Sequence, residues 1–283
     1  MKLLIVDAPS FLWRAFHAVP AAYNEDGISI HALEYFARFV LKRIRTHAWA
    51  THVLVVFDGS GPNFRTELYP DYKAHRPPMD DSLREQINIA PMLCAAYGMA
   101  SVVSDGCEAD DVVATAARQA VEAGAEVMIA SPDKDILQLV RSGVSVYDQK
   151  NRRKFSTDAD VLAYLGVRPD QVADWLALAG DTADGFPGIP GVGPKIAASW
   201  LRLGDSIDGL LACPGMIGST RLQKVLLRNV DNLQIFRQLA RLRDDVPNVP
   251  DVDSLLLDVD AAPIRMLRRL GISSLANIVP MGQ

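Results

Sequence analysis

Residues 2–7 read Lys-Leu-Leu-Ile-Val-Asp, four apolar side chains closed by an acid. The pattern returns at residues 52–58, His-Val-Leu-Val-Val-Phe-Asp. It returns again at residues 127–130, Val-Met-Ile-Ala, which lead through Ser131 and Pro132 to Asp133 and Asp135. Short runs rich in Val, Ile and Leu are the mark of strands buried on both faces. Amphipathic helical patterns lie between them. One covers residues 29–46, with Ile30, Leu33, Phe36, Phe39, Val40 and Ile44 apolar; another covers residues 110–123. Strands alternating with helices predict an α/β fold with a mostly parallel sheet flanked by helices. In such sheets ligands bind beyond the carboxyl ends of the strands. Asp7, Asp58, Asp133 and Asp135 are therefore expected at one edge. An acid after a strand is also an ordinary turn or N-cap residue. Its recurrence after each of the three runs favours a site.

Outward from these runs, residues 59–90 interrupt the alternation. They hold Gly59, Gly61, Pro62, Pro70, Pro77 and Pro78 among Arg65, Tyr72, Lys73, His75, Arg76 and Arg84. A polar connection of this length is usually functional or mobile. Beyond about residue 175 the strand signal ends, and helical patterns surround a dense loop, Gly185-Phe186-Pro187-Gly188-Ile189-Pro190-Gly191-Val192-Gly193-Pro194-Lys195. The expected division is an α/β core over residues 1–175 and a helical part over residues 176–283.

Further acids fall where helices or loops begin. Glu108-Ala109-Asp110-Asp111 opens a helix, where acids suit the helix dipole but three in four residues exceed what capping needs. Asp181 and Asp184 precede the glycine-rich loop. Nine such acids close together could not all stay ionised unless cations neutralised them. Oxygen donors without His or Cys select Mg²⁺ or Mn²⁺ over zinc. A two-metal phosphodiesterase needs this inventory, with its ions roughly 4 Å apart.

The bulk numbers agree with a folded globular protein. The 283 residues allow one large domain or two smaller ones, and 49% apolar with 22% charged residues is a globular balance. No apolar stretch is long enough to span a bilayer, and the start reads as a strand rather than a signal peptide. Cys94, Cys107 and Cys213 are too dispersed for a disulfide framework and read as ordinary buried residues in a reducing cytoplasm. The net charge of −5 argues mildly against nucleic acid, yet Lys and Arg gather at residues 65–84, 141–154 and 221–243, and a DNA footprint needs only one basic face.

Two segments suit DNA. Tyr72-Lys73-Ala74-His75-Arg76 sets an aromatic face beside cations. Gly188-Ile189-Pro190-Gly191-Val192-Gly193 reads as the turn of a helix–hairpin–helix, whose glycines let backbone N–H groups approach a phosphate; Pro194 then opens a helix, and Lys195 adds charge. A solvated loop and an ordinary helix–helix turn are the bland alternatives. Arg65 and Arg84 are weaker candidates. Arg14, after Asp7, is either a DNA contact or a surface residue.

The segments LLIVDAPSFLWRAFHA, VVFDG, FRTELYPDYKAHRPPM, EADD, SPDKDILQL and GDTADGFPGIPGVGPKIA, in this order over roughly residues 1–245, resemble bacterial 5′-nucleases or flap endonucleases. That family includes the 5′-exonuclease domain of DNA polymerase I and stand-alone homologues. The resemblance implies a PIN-like nuclease core, a helical arch over residues 59–90 and a helix–three-turn–helix. It implies a first metal site from Asp7, Asp58, Glu108, Asp110 and Asp111 and a second from Asp133, Asp135, Asp181 and Asp184. It places Lys73 and Arg76 at the scissile phosphate and Tyr72 against the 5′ strand. Gly191, Gly193 and Lys195 would contact DNA. Main-chain oxygens of Leu178, Ala179, Pro187, Ile189 and Val192 would hold K⁺. With no sequence after Gln283, a stand-alone enzyme is expected rather than part of a polymerase.

The expected function is structure-specific cleavage of branched DNA with a 5′ flap or free 5′ end, in replication and repair. Two Mg²⁺ or Mn²⁺ ions would serve each site. A monomer in the bacterial cytosol and nucleoid is expected, with a DNA polymerase acting in trans as a candidate partner. One alternative is a catalytically weak DNA-structure-binding protein; another is a phosphatase or RNase on a related scaffold. His17, His31, His47 and His52 read as structural or surface groups, and Trp13, Trp49, Trp175 and Trp200 as core. A helix over residues 262–270 carries no visible chemistry.

Overall fold

The computed structural model describes residues 1–47, 49–258, 261, 265, 267 and 268, with backbone alone for residues 41–47. The side chains of Ile44 and His47 and most of the helix expected at 262–270 lie outside the described residues. The three runs are strands: β1 (Lys2–Asp7), β2 (His52–Asp58) and β4 (Glu126–Ala130). Three more strands complete a six-stranded sheet: β3 (Ala100–Ser104), β5 (Val144–Asp148) and β6 (Arg153–Phe155). The order is β3-β2-β1-β4-β5-β6, parallel except for the antiparallel edge strand β6. The order reverses direction between β1 and β4, the switch point where parallel sheets open a crevice.

Alternation along the strands sends side chains to two separate cores. Leu4, Val6, Val53, Val55 and Phe57 face one layer. It is built by α1 (Ala8–Ala18), α2 (His31–His47) and α4 (Asp81–Ala96). Leu3, Ile5, Leu54, Val56, Val127 and Ile129 face the other. There α5 (Ala109–Glu122) lies on the sheet. That core continues without a break through α7 (Val172–Ala179), α8 (Pro194–Gly204) and α11 (Val230–Ala240). The boundary expected at 175/176 thus falls inside a single helix. Between α7 and α11 run α9 (Ile207–Ala212) and α10 (Thr220–Arg228), and α6 (Asp158–Leu165) follows β6.

The connection after β2 is shorter than the expected arch. It contains α3 (Phe64–Leu68) and tight turns to residue 80. Residues 81–90 belong instead to α4, where Leu83, Gln86 and Ala90 are buried against the first core. Trp175 and Trp200 are core as expected. Trp13 is not: it is 58% exposed, because Phe11, Leu12 and Ala15 are the residues of α1 that face the sheet. Cys213 is likewise exposed, whereas Cys94 is buried.

Candidate active site

The acids do collect at the carboxyl edge of the sheet. Asp7 ends β1 and caps α1, accepting from Ser10 N at 3.4 Å and from Ser131 Oγ at 2.6 Å. Burial pushes its carboxyl up to about 6, against the lowering effect of those hydrogen bonds, and Asp133 and Asp58 add like charge. Asp58 ends β2 and accepts from Ala109 N at 2.9 Å. Its side chain reaches solvent, yet the enclosing walls exclude enough water to raise its pKa. Gly59 lets this strand end pass β3: a Cβ there would lie 1.9 Å from the Ser104 carbonyl oxygen.

Asp110, in the first turn of α5, is raised well above the carboxylate range by burial and then by Asp7 and Asp133. Beyond β4, Asp133 accepts from Asp135 N at 3.0 Å. Burial, then Asp133, pushes Asp135 up to about 8. Asp184 is raised by burial, and both Asp181 and Glu108 act on it. Glu108 goes the other way, because Lys73 and Arg65 outweigh its burial. Eight acids therefore share one field: Asp7, Asp58, Glu108, Asp110, Asp133, Asp135, Asp181 and Asp184.

Lysines and arginines sit among them. Lys134 bonds Asp181 and lies 3.4 Å from Asp135 Oδ1. Lys73 Nζ is 2.9 Å from Glu108 and 3.9 Å from Asp184. Arg76 Nη2 donates to Asp184 at 2.8 Å, and its Nε donates to Ala183 O at 3.1 Å. Lys73 adopts a left-handed backbone, φ 57°, strained for a side chain of this kind, and its N–H donates to Asp184 O at 2.8 Å. The turn after α3 is thereby clamped onto the loop that carries Asp181 and Asp184. Among the described residues no three acids, His or Cys close on one point as a ready-made ion cage. The donors nonetheless suit hard cations: all are oxygens, burial makes the ionisation of Asp7, Asp58, Asp110, Asp135 and Asp184 costly, and Asp135 Oδ1 is buried with no hydrogen-bond partner.

The helical part brings its turn close to this edge. Gly180 and Gly188 approach so tightly that a Cβ on Gly188 would fall 2.2 Å from Gly180 N, which joins the end of α7 to the turn. Ile189 N donates to Leu178 O and Val192 N to Ile189 O, both at 2.9 Å. Gly193 precedes α8 with no side-chain cap, Pro194 opens the helix, and Lys195 is exposed.

Residues 2–166 match the family model described as 5′-3′ exonuclease, N-terminal resolvase-like domain, and residues 167–261 match its companion, 5′-3′ exonuclease, C-terminal SAM fold. The chain belongs to the 5′-3′ exonuclease family. DNA polymerase I of Rhizobium leguminosarum is 36% identical over 286 residues, covering 98% of this chain but 28% of the polymerase. The chain thus spans less than a third of the length of that relative. The fold matches T5 5′-exonuclease with bound zinc ions, TM-score 0.73 at 20% identity, covering 98% of this chain and 97% of the other. It also matches a T5 flap endonuclease in a pseudo-enzyme-product complex with DNA and metal ions, TM-score 0.71 at 21% identity, with 98% and 99% covered.

Within this 5′-3′ exonuclease fold, three residues stand elsewhere than the sequence suggested. Asp111 is not among the linked acids. It is 2% exposed and binds Arg65 in a two-pronged pair, 2.6 and 2.7 Å, while accepting from Arg243 N at 2.9 Å. A helix turns about 100° per residue, and here that turn directs Asp110 toward Asp7 and Asp133 while Asp111 meets Arg65. Arg65 is consequently no DNA contact: it is 1% exposed, and pairing with Asp111 and Glu108 raises its pKa against the opposing cost of burial. Tyr72 cannot stack on a base. It is 3% exposed, and its hydroxyl lies 3.0 Å from both Glu108 Oε2 and Asp184 Oδ2. One hydroxyl hydrogen serves one acid at a time, and burial followed by those two carboxylates holds the phenol un-ionised. Tyr72→Phe is expected to leave metal-free DNA affinity within about twofold, measured by fluorescence anisotropy, while weakening metal binding by about tenfold, a usual effect at an outer-shell partner. A large loss of metal-free affinity would restore the stacking role.

Arg84 lies on the surface of α4 beside Asp81, 3.7 Å away. Arg14 is half-buried on α1, with Nη1 enclosed and lacking a hydrogen-bond partner. Ser131 and Lys134 escaped the sequence reading. The Lys between two aspartates in Ser131-Pro132-Asp133-Lys134-Asp135 was the available signal, since a cation there is placed to neutralise its neighbours.

Proposed function

We propose that the chain is a divalent-metal-dependent 5′-nuclease that hydrolyses DNA phosphodiesters near a free 5′ end, on 5′ flaps, pseudo-Y structures and recessed ends. The observation that carries this reading is the set of eight acids at one sheet edge, with Lys73 and Arg76 paired to Glu108 and Asp184 among them. Asp7, Asp58, Glu108 and Asp110 would hold one Mg²⁺ or Mn²⁺; Asp133, Asp135, Asp181 and Asp184 would hold the other. Such a pair of ions supplies Lewis acidity, making water nucleophilic at neutral pH and neutralising charge on the leaving oxygen. Lys73 and Arg76 would bind the scissile phosphate and stabilise its developing charge. The products would be a 5′-phosphate and a 3′-hydroxyl.

The DNA grip would use Gly191, Gly193 and Lys195, with the free N–H groups at the start of α8 pointing to a phosphate. Arg14, with an unpartnered nitrogen, would meet the strand near Asp7. Carbonyls of Leu178, Ala179, Pro187, Ile189 and Val192 would hold K⁺; the Leu178 and Ile189 oxygens each accept one backbone bond and keep a second lone pair. We place the division between nuclease core and DNA-binding part at 166/167, with the family models, rather than at 175/176. A monomer in the bacterial cytosol and nucleoid, handing nicks to a polymerase acting in trans, completes the proposal.

The basic face would extend along α10. Arg221, Lys224 and Arg228 are exposed at helical spacing, and none makes an ion pair among the described residues. A Cβ on Gly191 would lie 3.8 Å from the Leu222 side chain, so this stripe adjoins the turn. Changing all three to Ala is expected to flatten the salt dependence of duplex binding by roughly 3 log units per log unit, at about 0.9 per phosphate contact. An unchanged slope in a salt titration would remove α10 from the footprint.

The direct test is incubation of a 5′-labelled flap duplex with and without Mg²⁺, followed by sizing of the first product. Cleavage at the junction only with metal is expected. The second reading, a DNA-structure binder that barely cuts, draws on Lys73 and Lys134, which already pair Glu108 and Asp181. Tight flap binding with no metal-dependent product would favour it. The family assignment argues against a phosphatase or RNase.

A further inference from the structure

Residues 239–246 leave the end of α11 and cross the α5 side of the active site, joining no strand among the described residues. Side chains grip their backbone instead. Arg65 Nε donates to Leu239 O at 2.8 Å, and Nη2 donates to Arg241 O at 3.2 Å. Gln138 offers its amide edge as a strand would. Its Nε2 donates to Ala240 O at 3.1 Å, and its Oε1 accepts from Leu242 N at 3.0 Å. Asp111 Oδ1 accepts from Arg243 N at 2.9 Å. Arg118 Nε donates to Asp244 O at 2.9 Å, and Thr115 Oγ1 accepts from Val246 N at 3.1 Å.

The positions of these grips matter. Asp111, Thr115 and Arg118 stand at i, i+4 and i+7 of α5, on one face. That helix carries Asp110 in its first turn and is entered from Glu108. Gln138 belongs to the 3₁₀ turn Asp135–Leu139, whose first residue is an acid of the other group. One strip of backbone is thus bonded both to the helix that carries Asp110 and to the turn that carries Asp135. The strip is also the continuation of α11, which packs on α7, and α7 leads directly to Asp181. Leu239 and Ala240 close α11, so their carbonyls lack helical partners and need outside donors; Arg65 and Gln138 are those donors.

We infer that residues 239–246 act as a strap that sets the separation of the two acid groups, and that Gln138 is a positioning residue for metal uptake. This rests on the nuclease reading. Two ions roughly 4 Å apart tolerate little drift between the elements that hold them. Gln138 touches no substrate; it works by fixing Asp135 relative to Asp110. The amide carries a donor and an acceptor side by side, whereas ionised Glu keeps only acceptors and Met only a weak one, so each loses at least the bond to Ala240 O.

The test titrates Mn²⁺ alone into the DNA-free chain by calorimetry, for wild type, Gln138→Met and Thr115→Val. Binding of a flap duplex in EDTA and the melting curve are measured beside it. Gln138→Met is expected to take up Mn²⁺ about tenfold more weakly and to need correspondingly more Mg²⁺ for half-maximal cleavage, the usual scale for an outer-shell change. DNA affinity in EDTA should stay within about twofold. Thr115→Val should move in the same direction by less, and it decides the matter if Gln138→Met does not fold. Folded variants with wild-type Mn²⁺ affinity would overturn the strap alone. A wild-type chain that takes up no Mn²⁺ would overturn both the strap and the nuclease reading.

Discussion

The Asp135→Asn chain is expected to melt well above wild type at pH 8 in EDTA and, once Mg²⁺ is supplied, to cut flap DNA at least ~10³-fold more slowly. The two effects have one cause. Asp135 is pushed from the ordinary 3.8 to about 8 by burial and then by Asp133. Between these values the folded chain binds a proton that the unfolded chain has released. Stability supplied by this group is therefore full below about pH 4 and is lost as pH rises through about 8. The shift corresponds to a few kcal/mol, on the order of 10 °C in melting temperature for a chain of this size. Asn cannot ionise, so the variant escapes the loss. Mg²⁺ at about 100 times its Kd should return ~3 kcal/mol to wild type and less to the variant. Thermal melts at pH 5 and pH 8, in EDTA and in Mg²⁺, measure all of this. If both proteins lose stability equally between those pH values, Asp135 is not the strained acid.

Arg65→Met is expected to cost about 3–5 kcal/mol, read from urea unfolding. The change leaves Asp111 buried at 2% exposure without its two-pronged partner, and leaves the carbonyls of Leu239 and Arg241 without donors. Burying an unpaired charge is what makes the removal of one partner so harmful. Adding Asp111→Leu should recover more than half of the loss, since a neutral apolar pair no longer strands a charge. The remainder would reflect Arg243 N, which loses its acceptor. A loss under about 1 kcal/mol for the single variant would show that Asp111 finds another partner, and that this pair does not fasten the C-terminal segment.

The strands at the centre of the sheet were legible because both faces are buried, which leaves an apolar run with no alternation to misread. Their acids followed from the polarity of a parallel sheet. The edge strands hid for the same physical reason in reverse: Val103 is 52% exposed, and β6 reads Arg-Lys-Phe, so neither stands out by composition. Within Glu108-Ala109-Asp110-Asp111 the residue types spoke for metal, but the helical turn that directs Asp111 to Arg65 depends on a partner 46 positions away. Arg65 and Tyr72 looked like a DNA-facing set because charge and aromaticity report affinity, not direction. Burial alone reversed both readings. Trp13 shows the converse: size argued for the interior, while the phase of α1 placed it outside.

The apolar layer beneath α5, α7 and α11 belongs to both family segments at once. The helical part is therefore no detachable handle. Severed at the junction, each half would be left with a bare oily wall where the other had been. Recombination, in evolution or at the bench, has to carry the sheet and the helical part as a single inheritance.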